Sequence, residues 1–229
     1  MTAVIVAVAA FGSALIGAGG PFVIARLPEP PEPDHDKIAY AELARARRLA
    51  LGLAATAAVM AGAAAWRVSP ELVPVWVLFA GVGSWLAYVD WRTRLLPFLF
   101  VAPLYVATLM LVVLGALLLD DWSILVKALI GNAAVFVAFW LVYRVGRMFG
   151  GGAFGYGDVR LSGVIGLALG ALGAAETLTG TYGGFVLGAI GGLMFSRLGW
   201  VDRKGFAFGP YMVVGAIVGA AWGPSIWPT

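Results

Sequence analysis

The chain has 229 residues, of which 62% are hydrophobic and 12% charged, with no cysteine and a net charge of +3. Ordinary soluble domains carry about 25% charged residues, so a soluble globular fold is excluded. The missing cysteine excludes disulfides, thiolate nucleophiles and cysteine-ligated zinc. The small positive excess sits in loops whose order is informative, and it is not a nucleic-acid footprint.

The apolar residues fall into eight blocks, roughly 2–25, 49–66, 71–89, 98–119, 123–143, 160–175, 178–196 and 207–226. A helix of about 20 apolar residues spans a bilayer core. The predicted fold is therefore all-α, a polytopic membrane protein with about eight transmembrane helices. Residues 1–229 form a single membrane domain, with N-terminal spans and a short Pro-rich loop over 1–70 and a core over 71–229. The first block lacks a basic leading segment, and "IGAGGPFVIARLP" is a poor cleavage site, so it is predicted as a membrane helix rather than a signal peptide. The loop after it opens "PEPPEPD", which cannot join a helix early. From about Lys37 the composition predicts helix leading into the second span. Trp66, Trp76, Trp122, Trp140, Trp200 and Trp227 fall near block ends, where tryptophan favours the headgroup level.

The basic residues alternate along the chain. Loop 26–48 holds Arg26, Lys37, Arg45, Arg47 and Arg48, and loop 90–97 holds Arg92 and Arg94. Loop 144–160 holds Arg144, Arg147 and Arg160, and loop 197–206 holds Arg197, Arg203 and Lys204. That is thirteen of the fifteen basic residues; only Arg67 and Lys127 lie elsewhere. The positive-inside rule then predicts that loops one, three, five and seven are cytoplasmic and that both termini face outward. Glu71, Asp120, Asp121 and Glu176 fall on the predicted outer side. Glycine recurs inside spans six to eight, in "GVIGLALGALG" and "GGFVLGAIGG", a spacing that lets helix backbones approach closely in lipid.

Two acids stand apart. Asp90 closes "GVGSWLAYVD" and Asp158 closes "GYGD" at the start of the sixth span, both at helix ends on the predicted cytoplasmic side. An ionisable group at membrane depth is a functional candidate by default. The bland alternative is an interfacial ion pair, Asp90 with Arg92 or Arg94 and Asp158 with Arg160. As a pair the acids say more. Two carboxylates sharing a site cannot both ionise cheaply, so one keeps a proton while the other stays charged. The charged member takes a proton from water and the neutral one hydrogen-bonds a substrate carbonyl. Such chemistry needs no metal and no other cofactor. Gly155 and Gly157 let a peptide backbone approach Asp158. A phosphate loop is a poor match for "GGGAFGYGD", which lacks the Gly-Lys-Ser/Thr ending and the preceding strand. His35 is read as a solvated loop residue.

"DWRTRLLP" followed by "GYGDVRLSGVIGLALG" resembles the type IV prepilin peptidases, the GxGD class of intramembrane aspartic proteases. "FAFGPYMVVGA", with Phe208, Gly209 and Pro210, resembles that family's Phe-Gly-Pro motif, and "GSALIGAGGPFVIARLP" is a fainter echo of its first span. The resemblance covers the chain from about residue 75 to the end, which makes 71–229 the expected peptidase core. It implies that Asp90 and Asp158 are the catalytic pair. It also implies a multi-pass protein of the bacterial inner membrane that cuts prepilin-like precursors at the cytoplasmic face, after a leader glycine and before an apolar helix. Such a protein serves a type IV pilus or a protein-secretion system. Full-length members carry a cytoplasmic loop with paired CxxC motifs, a zinc site associated with N-methylation. Here the first loop is short and Cys-free, which points to cleavage without methylation. Phe98 stands where a polar residue is common, Arg160 where lysine is usual, and Ala207 where proline is common.

The mechanism expected is attack of water on the scissile carbonyl, with Asp90 and Asp158 sharing one proton and titrating as a unit. The expected partners are prepilin-like substrates and anionic lipid headgroups near the basic loops. A small ion- or proton-coupled transporter using the acids as a relay is the rival. It predicts acids at mid-membrane and symmetric halves, and the sequence has neither. A catalytically dead relative acting as an assembly factor is a third reading, and the intact acids argue against it.

Overall fold

The computed structural model describes residues 2–29, 38–148, 155–197 and 206–227, and among them all regular structure is helical. In chain order the helices are α1 (Thr2–Ala18), α2 (Gly20–Ile24), α3 (Tyr40–Leu43), α4 (Leu49–Ala65), α5 (Val73–Thr93), α6 (Phe98–Leu118), α7 (Ser123–Met148), α8 (Tyr156–Gly170), α9 (Ala174–Arg197) and α10 (Gly209–Ile226). Each of the eight apolar blocks falls on a helix. Four segments are long and apolar enough to cross a membrane by length and composition: Thr2–Ile24, Val73–Thr93, Phe98–Leu118 and Ser123–Met148. The all-α membrane class is thus met; four helical segments among the described residues reach spanning length and hydropathy, and shorter apolar helices accompany them. Helix α4 is apolar but has only 17 residues. Helix α8 has 15, about 22 Å at 1.5 Å per residue.

What α8 lacks in length it makes up in position. Twelve of its residues are buried, from Asp158 to Gly170, and it packs against α6, α7, α9 and α10. By contrast, α6 and α7 turn large apolar side chains outward, among them Val106, Met110, Ile130 and Leu141. A helix greasy on its outer face suits a lipid surround. The remaining helices complete the bundle: α1 lies against α4 and α5, and α10 pairs with α9 while touching α5. The glycine runs mark backbone-to-backbone approaches. A Cβ on Gly131 would meet the Gly166 carbonyl oxygen at 2.6 Å, joining α7 to α8, and one on Gly219 would meet that of Glu176 at 2.5 Å, joining α10 to α9. Asn132 adds a polar bond across the bundle. Its Nδ2 donates to the Gly163 carbonyl at 2.7 Å, and its Oδ1 accepts from the Tyr105 hydroxyl at 3.3 Å.

Two expectations need correction. The stretch after residue 37 does not run as one helix into the second span. Residues Tyr40–Leu43 form a single turn, and the chain then reverses through Arg48, whose φ of 64° is left-handed. The residue types favour helix, but tertiary bonds override them. Glu29 accepts from the Tyr40 backbone N–H at 2.7 Å, and the Tyr88 hydroxyl donates to the Leu43 carbonyl at 3.1 Å, pinning the turn onto α5. Burial, and next the Glu29 charge, push the Tyr40 phenol above its ordinary pKa. The second correction is Trp76, which is no headgroup anchor. It is fully buried in α5 with its ring edge-on to Phe79 at 5.6 Å. Trp66, Trp122 and Trp227 are exposed as expected. Lys37, His35, Trp200, Arg203, Lys204 and the "GGGAF" run lie outside the described residues.

Candidate active site

Asp90 lies one turn before the end of α5, flanked by the fully buried Leu86 and Val89. The helix stops at Arg94, whose φ of 57° is left-handed and whose N–H returns to the Asp90 carbonyl at 2.7 Å. The Asp90 side chain is itself buried, 4% exposed. Its Oδ2 accepts the backbone N–H of Gly209 at 2.8 Å. That donor is one of the first N–H groups of α10, which have no partner inside their own helix. The residue there has to be glycine: a Cβ would stand 2.8 Å from Asp90 Oδ2 and 3.1 Å from its Cγ. Its neighbours in the Phe-Gly-Pro motif follow from the same geometry. Pro210 occupies the first turn of α10, where a missing N–H costs nothing. The buried Phe208 ring packs on Phe185 at 5.6 Å and Phe139 at 6.1 Å, which fixes where α10 begins.

Asp158 sits in the first turn of α8 and is 7% exposed. Its Oδ2 accepts the Gly155 N–H at 2.9 Å, the return half of a capping box whose other half a glycine cannot supply. Gly157 lets the turn press on the connector between α5 and α6, since a Cβ there would meet Leu96 Cβ at 2.8 Å. Gly155 has an ordinary φ of −78°, and among the described residues the nearest atom to a notional Cβ is Asp158 Oδ2 at 3.6 Å. The two glycines of "GYGD" therefore do different things. The first offers an N–H and the second a close approach.

These contacts bring together the end of α5, the α5–α6 connector, the start of α8 and the start of α10. Leu96, six residues past Asp90, packs on Gly157, the neighbour of Asp158, so the two acids stand at the same end of the bundle. The simple ion pair of Asp158 with Arg160 is not what forms. Two residues apart on a helix do not face each other, and the Arg160 guanidinium lies over the rings of Phe98 at 4.6 Å and Tyr156 at 4.7 Å. Arg92, likewise two residues from Asp90, is exposed while Asp90 is buried. A cavity of about 440 Å³ opens between α6, α7 and α8, bordered by Phe98, Tyr105, Asn132, Phe136 and Arg160. It lies on the Arg160 side of α8 and is separate from the acid pair. Sequence reading assigned no role to Leu96, Tyr143 or Tyr156: the first and last lie inside "DWRTRLLP" and "GYGD", Tyr143 lies in no motif, and only the folded contacts show that they border the site.

An all-helical, membrane-type bundle with two buried acids gathered at one end is the class this architecture defines. The chain belongs to the type IV leader peptidase family, whose model matches residues 77–223, more than half of the chain. It is similar to a prepilin leader peptidase/N-methyltransferase of Aeromonas hydrophila, with 30% identity over 182 residues, 78% of this chain and 58% of that relative. The chain thus spans little more than half the length of the curated relative it matches. No solved structure matches it. Asp90, Asp158 and Gly209 all fall within the family match.

Proposed function

We propose that the protein is an aspartic endopeptidase of the bacterial inner membrane that removes the leader from prepilin-like precursors at the cytoplasmic face. The observation that carries this reading is the convergence of two buried acids, from α5 and α8, where the connector that follows Asp90 packs through Leu96 on Gly157 beside Asp158. Family membership supports it. So does the alternation of basic loops, from which the positive-inside rule predicts this end of the bundle inside and both termini outside.

In the proposed reaction the ionised carboxylate takes a proton from water as the oxygen attacks the scissile carbonyl. The protonated carboxyl donates to the carbonyl oxygen. Collapse of the tetrahedral species breaks the C–N bond, and the pair returns a proton to the leaving amine. One backbone N–H ties one oxygen of each acid, from Gly209 and from Gly155, which fixes each carboxylate and leaves its second oxygen outside that bond. General acid–base assistance of this kind is worth about 10² to 10⁴ in rate. The exposed Arg26, Arg45, Arg47 and Arg48 suit anionic headgroups beside the site.

The test is co-expression with a precursor that carries a basic leader, a glycine and an apolar run. A leader-sized mobility shift is expected, with the new N-terminus beginning just after the glycine. An uncut precursor would refute the reading. The short Cys-free loop adds a second expectation: mass spectrometry of the product should find a free amine, and zinc chelators should leave cleavage unchanged. A methyl group that depends on this protein would refute that part alone.

A further inference from the structure

The hydrogen bond to Asp158 comes from its own turn and moves with that turn, so it cannot hold the carboxylate in place relative to Asp90. Something else must fix the first turn of α8 in the bundle. Three contacts do so. Leu96 presses on Gly157. The Arg160 guanidinium is stacked between Phe98 at 4.6 Å and Tyr156 at 4.7 Å. Tyr156 leans on Tyr143 of α7 at 5.6 Å, and the Tyr143 hydroxyl accepts from Arg147 at 3.0 Å. Leu96 and Phe98 belong to the chain that leaves Asp90, only six and eight residues on. The stretch that carries one acid therefore grips the turn that carries the other. Arg160 is about 200° around the helix from Asp158, so it acts from the far side and touches no reacting atom.

Resting on the two-acid reading, we propose that the Phe98–Arg160–Tyr156 stack is a positioning clamp that holds Asp158 in register with Asp90, and that Phe98 and Arg160 function as a matched pair. Both residues depart from the pattern that the sequence resembles, and here they touch each other. A planar guanidinium lies flat on an aromatic face, whereas the compact ammonium of lysine does this less well. An arginine at 160 thus gains from a ring at 98, and a lysine would gain less.

The test uses the full chain in liposomes with a precursor, comparing Phe98→Ser, Arg160→Lys, the double variant and Phe98→Tyr. Each of the first two should lower kcat about two- to fivefold with KM unchanged, the effect of one exposed cation–π contact. The double variant should be no worse than the worse single one, and Phe98→Tyr should restore the rate. Hydrogen exchange over residues 155–160 should speed up in the slow variants and return to normal in Phe98→Tyr. Additive losses, a change in KM alone, or unaltered exchange would overturn the clamp. Failure of the underlying reading looks different: Asp158→Asn would still cut, or the wild type would not. The exchange measurement decides on the clamp in either case.

Discussion

Asp90 takes its hydrogen bond from Gly209, 119 residues away in sequence and at the start of another helix, whereas Asp158 takes its own from Gly155, three residues back in the same turn. A bond between distant helices locks a side chain to the bundle. A bond within a turn shapes the side chain but lets the turn carry it. The two acids are buried to a similar degree, yet one is anchored by tertiary structure and the other depends on what grips its helix end. In a two-acid site, holding each group and holding the distance between them are separate tasks, and different residues perform them.

The largest expected effect removes the comparison altogether. Asp90→Asn and Asp158→Asn should each lower cleavage by at least about 10² to 10⁴ while the protein stays in the membrane, because asparagine keeps the shape and cannot exchange a proton. Glutamate should fail too, since moving the carboxylate by about 1 Å can cost about 10²-fold. The wild-type rate should be bell-shaped in pH, with both limbs belonging to the pair. Purified Asp158→Asn that cuts at near-normal rate would move the proton-relay reading to first place.

Next in size come the glycines, which separate the two anchors. Gly209→Ala drives a Cβ to 2.8 Å from Asp90 Oδ2 and should cost about 10² in rate, on the same displacement argument. Gly157→Ala meets Leu96 Cβ at 2.8 Å and should lose activity as α8 is pushed from the connector. Among the described residues, Gly155→Ala meets nothing closer than 3.6 Å. It should stay within about fivefold of wild type, the scale of a helix-cap substitution. Equal losses at Gly155 and Gly157 would show that the motif is not divided as described. Rates are read in the same precursor assay, with membrane abundance as the folding control.

The smallest effect is expected at the other end of α6, 21 residues or about 30 Å away. Asp120→Asn and Asp121→Asn should be silent. Asp120 has a left-handed φ of 49°, which asparagine tolerates. Asp121 is exposed, its carboxyl held below the usual range by Ser123, and its Oδ1 caps the Ser123 N–H at 2.9 Å. Asparagine caps equally well. A loss of cleavage at either acid would break the assignment of chemistry to one end of the bundle.

Much of this site was legible in the chain itself. Hydrophobic blocks of spanning length foretold the helices, and the paired acids with "GYGD" and "FGP" marked the residues that meet. What sequence could not carry was pairing over distance. Nothing near Asp90 announces that Gly209 will donate to it, and nothing near Phe98 announces the guanidinium of Arg160. Trp76 failed as an interface marker because position along a helix does not tell which way a side chain faces. The turn at Arg48 failed because helix propensity is weak beside tertiary bonds from Glu29 and Tyr88.

The bond between Asp90 and Gly209 also sets an order of events during biosynthesis. The ribosome delivers Asp90 119 residues before its donor, an interval of about 6 to 24 s at ordinary rates of synthesis. Until α10 is made, the nascent chain holds Asp90 without its anchor. A half-made molecule therefore carries both acids but lacks the bond that fixes the Asp90 carboxylate.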